Sequence, residues 1–406
     1  MSKNSISDLL SIILQILFYI SVFAVVYSYL IYPMLLRYLA ADKSNPTIVF
    51  QESEKLPYLF IIMAVYNEEK VIDKKLQSIF ETSYPTNHFQ VLIGSDNSND
   101  NTHQIIEKYQ QKYNNIHLQV FGGRNGKIRI INQLVKKYES EIVKQRNAIF
   151  VMTDANVFFT EKMLFELAKY FKNEKIGLVG ANVLNINIRN AGISFQEKWY
   201  IQRENVIKYR EGVLWGSMMG AFGACYAMRA NLFRFVPQNF IVDDFFLTMS
   251  VLKQKKIAIK ELKAICYEDV SEDIFQEFKR KKRISVGNFQ NLNAFSDLLL
   301  PNKKGIAFSF WSHKVLRWLS PLFIIFAFVT SLLLASQNLF FRIALYLQIG
   351  LFSVPFFEFL AQKIGLHIKI LRFITYFYLM NIALLIGMFN YLKGIQSNVW
   401  QPTKRN

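Results

Sequence analysis

Tyr58-Leu59-Phe60-Ile61-Ile62-Met63-Ala64-Val65-Tyr66-Asn67-Glu68-Glu69 decides the fold. An apolar run that stops abruptly in polar residues is the pattern of a strand covered on both faces. A helix-like pattern follows over Val71–Phe80, then a β-rich run Phe89–Ser95 and a second helical pattern Thr102–Tyr113. Further β-rich runs lie at Ile116–Phe121, Ala148–Thr153 and Ile176–Val183. Strand alternating with helix predicts an α/β domain with a mostly parallel sheet. The region between Lys43 and His313 carries it, and about 240 residues suffice for one well-buried core.

Ligands of such sheets bind beyond the carboxyl ends of the strands. Polar residues stand at three of those ends: Tyr66-Asn67-Glu68-Glu69, Ser95-Asp96-Asn97-Ser98-Asn99-Asp100-Asn101-Thr102, and Asp154-Ala155-Asn156. Carboxylates converging there suit a hard divalent cation. The same residue types cap helices, which accounts for Asn97 and Ser98; Asp96 and Asp154 together are better read as functional.

The order continues with Gly126-Lys127-x-x-x-x-Asn132, Gly223-Ala224-Cys225-Tyr226-Ala227-Met228-Arg229, Val242-Asp243-Asp244, Glu268, Arg280-x-x-Arg283-x-x-x-Gly287 and Trp400-x-x-Thr403-x-Arg405. Each motif is weak alone, but the series in this order resembles the membrane-embedded family 2 glycosyltransferases. The group includes hyaluronan, cellulose and poly-N-acetylglucosamine synthases and ceramide glucosyltransferase. The resemblance implies a GT-A (Rossmann-like) nucleotide-sugar domain that inverts the anomeric centre in one displacement, with a UDP-sugar as the usual donor. It places Tyr66, Asn67, Glu68, Asp96, Lys127, Asp154, Arg280 and Arg283 around the nucleotide sugar, and Asp154 with Asn156 on Mg²⁺ or Mn²⁺. Asp244 matches the catalytic base, with Asp243 beside it, and Gly223, Cys225 and Glu268 fall toward the acceptor. A like charge at Asp243 or Glu268 is expected to raise the pKa of Asp244. Both aspartates also suit the first turn of a helix starting at Asp244.

Composition sets the surroundings. Leu9–Leu36 contains no charged residue and is long enough to cross a bilayer. Ala40-Ala41 follows it as a signal-peptidase site would, but the run far exceeds the ~7–15 apolar residues of a cleavable signal. Uncharged runs also lie between Arg317 and Arg342 and between Arg372 and Lys393, with a weaker one from Ile343 to about Leu360. Four full spans put both termini outside, a re-entrant or interfacial fourth run returns the basic tail to the cytoplasm, and the sequence leaves both open. The expected layout is an anchor (1–42), the catalytic domain (50–290), an interfacial segment (291–314), two or three spans (315–394) and a basic tail (395–406). Phe289, Phe295, Phe308, Phe310 and Trp311 are read as the face laid on the membrane. Arg37, Lys43, Lys314 and Arg317 put the domain in the cytoplasm by the positive-inside rule, in an integral protein of the cell (inner) membrane.

The formal charge of +18 fits anionic lipid or diphosphate. A nucleic-acid partner does not fit a chain carrying the Leu9–Leu36 span. In Lys279-Arg280-Lys281-Lys282-Arg283 the two arginines share a helical face, and Lys281 and Lys282 are read as surface charges. Two scattered cysteines exclude a disulfide framework. Gly122-Gly123-Arg124-Asn125-Gly126-Lys127 fails as a P-loop because the spacing is short and Ile128 replaces Ser or Thr. Gly216-Ser217-Met218-Met219-Gly220 is no nucleophile elbow.

Four residues depart from the family pattern: Ser95, Asn156, Arg280, and Ile284 where polymer synthases carry an acceptor-stacking Trp. Ile284 favours a single addition onto a membrane lipid or polyprenyl phosphate, whereas the C-terminal spans favour polymer assembly at the cell surface. A non-catalytic scaffold finds support only in Asn156. Trp199 is expected in the core. The sequence assigns no partner subunit.

Overall fold

The computed structural model describes residues 3–186, 193–269 and 273–394. The basic tail, with Trp400, Thr403 and Arg405, lies outside them.

Eight strands form one sheet: β1 (Leu59–Val65), β2 (Phe89–Ser95), β3 (Ile116–Val120), β4 (Ile149–Thr153), β5 (Val157–Phe159), β6 (Ile176–Ile186), β7 (Cys225–Arg229) and β8 (Ile257–Asp269). Their order is β3-β2-β1-β4-β7-β6-β8-β5. The half β3-β2-β1-β4 is parallel, β7 is antiparallel to β4 and β6, and β5 is antiparallel to β8. The chain builds β2 and β3 on one side of β1 and then returns to add β4 on the other. That reversal opens a crevice at the carboxyl ends of β1 and β4.

Period-two alternation splits the core into two layers. Leu59, Ile61, Met63 and Val65 of β1 join Ile149 and Val151 of β4 in one cluster. Phe60 and Ile62 join Phe150 and Met152 in the other. This second layer also takes in Phe289, Phe295, Phe310 and Trp318. Much of the expected interfacial segment is therefore core, because the second face of the sheet needs a cover. Phe308 and Trp311 keep exposed faces.

Three helices are long and apolar enough to cross a membrane: Ile6–Leu39, Leu339–Lys363 and Lys369–Leu392. A fourth span exists if Gly305–Trp318 and Ser320–Leu334, bent by 60°, count as one. Ile343–Leu360 lies in an unbroken helix, with buried Glu358 answered by Arg372 at 3.4 Å, while the broken element is the one after Arg317. Leu, Ile and Phe side chains stay exposed along these helices, as a lipid-facing surface requires.

Candidate functional site

The loops after β1 and β2 are stitched to each other. Asn67, at φ 52°, donates its N–H to Ser98 Oγ (3.1 Å), and its Oδ1 accepts from Asn99 N (3.0 Å). Glu68 N donates to Thr102 Oγ1 (2.9 Å) and Glu69 N to Asp100 Oδ2 (3.1 Å). Asp96 is buried, and both its oxygens hold the next loop: Oδ1 accepts from Asn125 N (2.5 Å), and Oδ2 accepts from Gly126 N (3.1 Å) and Arg124 Nε (3.2 Å). Gly126 sits at φ 83°, where a side chain would be strained, and the next residue, Lys127, opens the helix Lys127–Lys137. Asp96 therefore positions Lys127 in addition to facing the crevice.

Lys127 Nζ lies 2.6 Å from Asp154 Oδ1. Burial opposes its charge, but Asp154 and Asp243 hold the ammonium above its ordinary range. Asp154 and Asn156 lie on the short turn joining β4 to β5. Lys75, fully buried, braces both ends of that turn by donating to Thr153 Oγ1 (2.9 Å) and Val157 O (2.6 Å). Burial pushes the Lys75 amine down to about 8. Asn156 is buried and donates Nδ2 to Glu268 Oε1 (3.2 Å). Its Oδ1 is then the atom left for a cation. Among the described residues no three acidic, His or Cys side chains form a metal cluster. Asp154 and Asn156 thus fit a cation that completes its shell with diphosphate and water, as Mg²⁺ prefers.

The aspartate pair opens the helix Asp243–Lys253, one residue earlier than expected. Burial first, and then the charge of Asp243, raise Asp244 to about 6, against the opposing pull of Lys127 and Lys208. Like-charge repulsion, the expected cause, is the smaller one. A Cβ on Gly223 would lie 2.9 Å from Asp244 Oδ2, so glycine is what lets the backbone approach the carboxylate.

The segment carrying this pair is clamped by the helix Ile274–Ala294. Gln290 donates to Asn239 O (2.7 Å) and accepts from Ile241 N (3.1 Å), and Asn291 donates to Val242 O (3.1 Å). Gly287 permits the contact, since a Cβ there would meet Val242 Cγ2 at 2.4 Å. On its far side the same helix meets the last membrane-type helix. A Cβ on Gly387 would lie 2.3 Å from that of Ser285, and Ser285 Oγ donates to Leu384 O (2.8 Å).

One cavity of about 740 Å³ collects Glu68, Lys127, Asp154, Asn156, Gly223, Asp243, Asp244, Glu268, Arg280 and Arg283. Tyr66, Asn67 and Asp96 stand outside its lining, in the adjoining crevice, where the Arg124 guanidinium lies 3.3 Å above the Tyr66 ring. Cys225, expected near the acceptor, is buried in the core, because its side chain points to the opposite face of β7. Arg280 reaches the cavity wall but is committed to Glu197 (2.7 Å) and Glu277 (2.7 Å). Lys281 is no surface charge: it is mostly buried and pairs with Glu277 at 3.1 Å. Burial opposes ionisation of Glu277, yet these two cations hold it at about 2. Trp199, expected in the core, is half exposed on the cavity wall.

Sequence reasoning missed the helix Ser194–Trp215. Its Glu204, Lys208 and Glu211 share one face by their spacing of four and three, a signal present in the sequence. All three are buried. His313 lies between the two acids, Nδ1 at 2.7 Å from Glu211 and Nε2 at 3.0 Å from Glu204. Lys314 (3.3 Å) and Arg317 also pair with Glu204. Burial disfavours its charge, but these three partners hold Glu204 well below the usual range. Tyr32, on the first membrane-type helix, donates to Glu211 (2.9 Å).

Comparison with known proteins bears on the family and the fold. Residues 60–235 match the family model described as Glycosyl transferase family 2. The chain is 24% identical over 270 residues to the β-monoglucosyldiacylglycerol synthase of Trichormus variabilis, covering 62% of this chain and 53% of that protein. It is 30% identical over 131 residues to the poly(ribitol-phosphate) β-N-acetylglucosaminyltransferase TarS of Staphylococcus aureus, covering 32% of this chain and 21% of TarS. The chain thus spans about half the length of the first relative and less of the second. A mannosyltransferase from Pyrobaculum calidifontis, solved in complex with GDP-Man and Mn²⁺, superposes with a TM-score of 0.64 at 19% identity. The match covers 93% of this chain and 99% of that one, and it shows the fold. Residues 60–235 are thus similar to glycosyl transferase family 2 and fold as a GT-A-like α/β domain, set between apolar helices long enough to span a membrane.

Proposed function

We propose that the chain is an inverting, divalent-metal-dependent membrane glycosyltransferase that moves a sugar from a nucleoside diphosphate, a UDP-sugar on the family resemblance, to an acceptor hydroxyl. The observation that carries this reading is the shared cavity: Lys127 and Asp154 face the same space as the Asp243-Asp244 pair. Departure of a diphosphate requires its charge to be neutralised, and Lys127 is a fixed cation for it. Mg²⁺ or Mn²⁺ on Asp154 and Asn156 would add to that stabilisation. Asp244 accepts the hydroxyl proton as the acceptor oxygen bonds to the anomeric carbon. The electron pair of the broken bond leaves with the diphosphate.

Replacing Asp244 by Asn keeps the shape and removes the base. Transfer should fall by roughly 10²–10⁴-fold, with nucleotide affinity unchanged. Full transfer by that variant overturns the assignment.

Two acceptor classes remain, a glycan in surface polysaccharide assembly and a membrane lipid. Part of the cavity wall favours the lipid: Tyr29 of the first membrane-type helix and Phe377 and Met380 of the last one line it, and Ile284 replaces the stacking Trp. The relative named for monoglucosyldiacylglycerol supports the same class. Product size decides, one added sugar against a ladder. A cytoplasmic face of the cell membrane is the proposed location. Lys314 and Arg317 are spent on Glu204, so Arg37 and Lys43 carry that orientation.

A further inference from the structure

Carboxylates answer most cations around the cavity. Lys127 pairs with Asp154, Arg280 and Lys281 with Glu277, and Lys314 with Glu204. Arg203, Arg283 and, most deeply buried of the three, Lys208 have no such partner among the described residues. The Lys208 side chain lines the cavity at 3% exposure, yet among the described residues it has no hydrogen bond or ion pair. Its ammonium rests 3.5 Å above the Phe222 ring. A second donor is also left over: Arg317 pairs with Glu204 through Nη1, while its buried Nη2 has no partner. Buried donors without acceptors are costly and mark places where a ligand completes the bonding.

Both residues line the cavity that also holds the aspartate pair. Burial and the nearby Lys314 hold the Lys208 amine well below its ordinary range, against the weaker pull of Glu204 and Asp244, so an anion beside it would restore its charge. The same cavity has an apolar lining from the membrane-type helices, with Val26, Leu30, Phe377 and Leu384. An occupant matching these surfaces carries a hydroxyl, a negative group with several oxygens and a hydrocarbon chain.

We infer that the acceptor is a phosphate-bearing lipid, its phosphate held by Lys208 and Arg317, its hydroxyl presented to Asp244 and its chain lying between the first and last membrane-type helices. The inference rests on the glycosyltransferase reading and names the substrate class for it. A phosphate in this place gives Lys208 and Arg317 Nη2 the acceptors they lack and forms charge-assisted bonds. A neutral diacylglycerol leaves both unanswered.

The full chain in detergent tests it through tryptophan fluorescence, since Trp199 and Trp318 line the cavity. Phosphatidylglycerol and a polyprenyl-diphosphate-linked sugar are titrated against diacylglycerol and polyprenol, and UDP binding is measured in parallel by calorimetry. The two phosphate-bearing lipids are expected to bind at least about tenfold more tightly than the neutral ones, and the tighter of them identifies the source of the phosphate. Lys208→Met should remove that preference while leaving UDP affinity unchanged, and Lys208→Arg should restore it. Equal binding of neutral and phosphate-bearing lipids by the unaltered chain overturns the inference without need of a variant. Loss of UDP affinity in Lys208→Met overturns it too, by assigning the lysine to the donor. Failure of the unaltered chain to bind UDP with Mg²⁺ or Mn²⁺ strikes at the glycosyltransferase reading instead, and the lipid titration separates the two failures.

Discussion

The two ends of the cavity are built in different ways. At the proposed donor end, Asp154 and Asn156 stand on the turn after β4, braced by the sheet and one buried lysine, and Asp96, just past the end of β2, fixes the loop that leads to Lys127. At the acceptor end, Asp243 and Asp244 open a short helix whose entering segment is fixed by another helix, and that helix leans on a membrane-type helix through Gly387. The first end is rigid because β-ladder bonds set its geometry. The second depends on side-chain contacts between elements far apart in sequence. Damage to the acceptor end should therefore spare nucleotide binding, and damage to the donor end should reach it directly.

The sharpest way to break this comparison is Gly287→Ala. The new methyl must displace Val242, the residue before the aspartate pair. Misplacing a catalytic group by about 1 Å costs on the order of 10²-fold in rate, so transfer should fall by that order while UDP affinity stays constant. Gly350→Ala, where a Cβ meets nothing within 4 Å, is the control. Equal loss of UDP affinity in Gly287→Ala would dissolve the distinction between the ends. On the donor side, Asp154→Ala should weaken metal-dependent UDP binding by at least the roughly 10–100-fold that losing even an outer-shell partner costs. Unchanged metal and UDP affinity in calorimetry would remove Asp154 as a ligand.

Lys75→Met asks whether the donor end is held from behind. It removes the donor to the Val157 carbonyl and to Thr153 Oγ1, which keeps its own bond to Ala224 O, at a cost of about 1–3 kcal/mol, read as a lower melting temperature. An unchanged melting temperature would deny the brace. The smallest effect concerns pH. A base works ionised, so transfer should rise as pH passes about 6, where Asp244 titrates. Asp243→Asn removes one of the charges that raise it, so the acid limb should move to lower pH. Burial, the larger cause, stays, so the limb should remain above the ordinary carboxylate range. A limb that moves upward would contradict the coupling.

The donor end was legible in the sequence because its signals are local. Apolar runs fix β1, β2, β3 and β4 to within a residue, and polar residues crowd directly after them. Much of the acceptor end was not. Glu204, Lys208 and Glu211 lie on a helix that periodicity alone left unread, and their partners His313 and Arg317 come about 100 residues later. Lys75 carries no local sign of burial, because its partners Thr153 and Val157 come about 80 residues later. Cys225 was misplaced because Gly223 lies in the turn ahead of β7 and lines the cavity, whereas Cys225 opens the strand with its side chain in the core. The break after Arg317 was hidden since hydropathy registers length and apolarity, not a bend.

The contact at Gly387 has a consequence for the proposed enzyme. Through the helix that carries Ser285 and Gly287, and then Val242, it links a membrane-type helix to the carboxylate proposed to take the proton. On the proposed membrane reading the bilayer becomes part of the catalytic framework rather than a place of attachment, in the way a foundation is part of an arch.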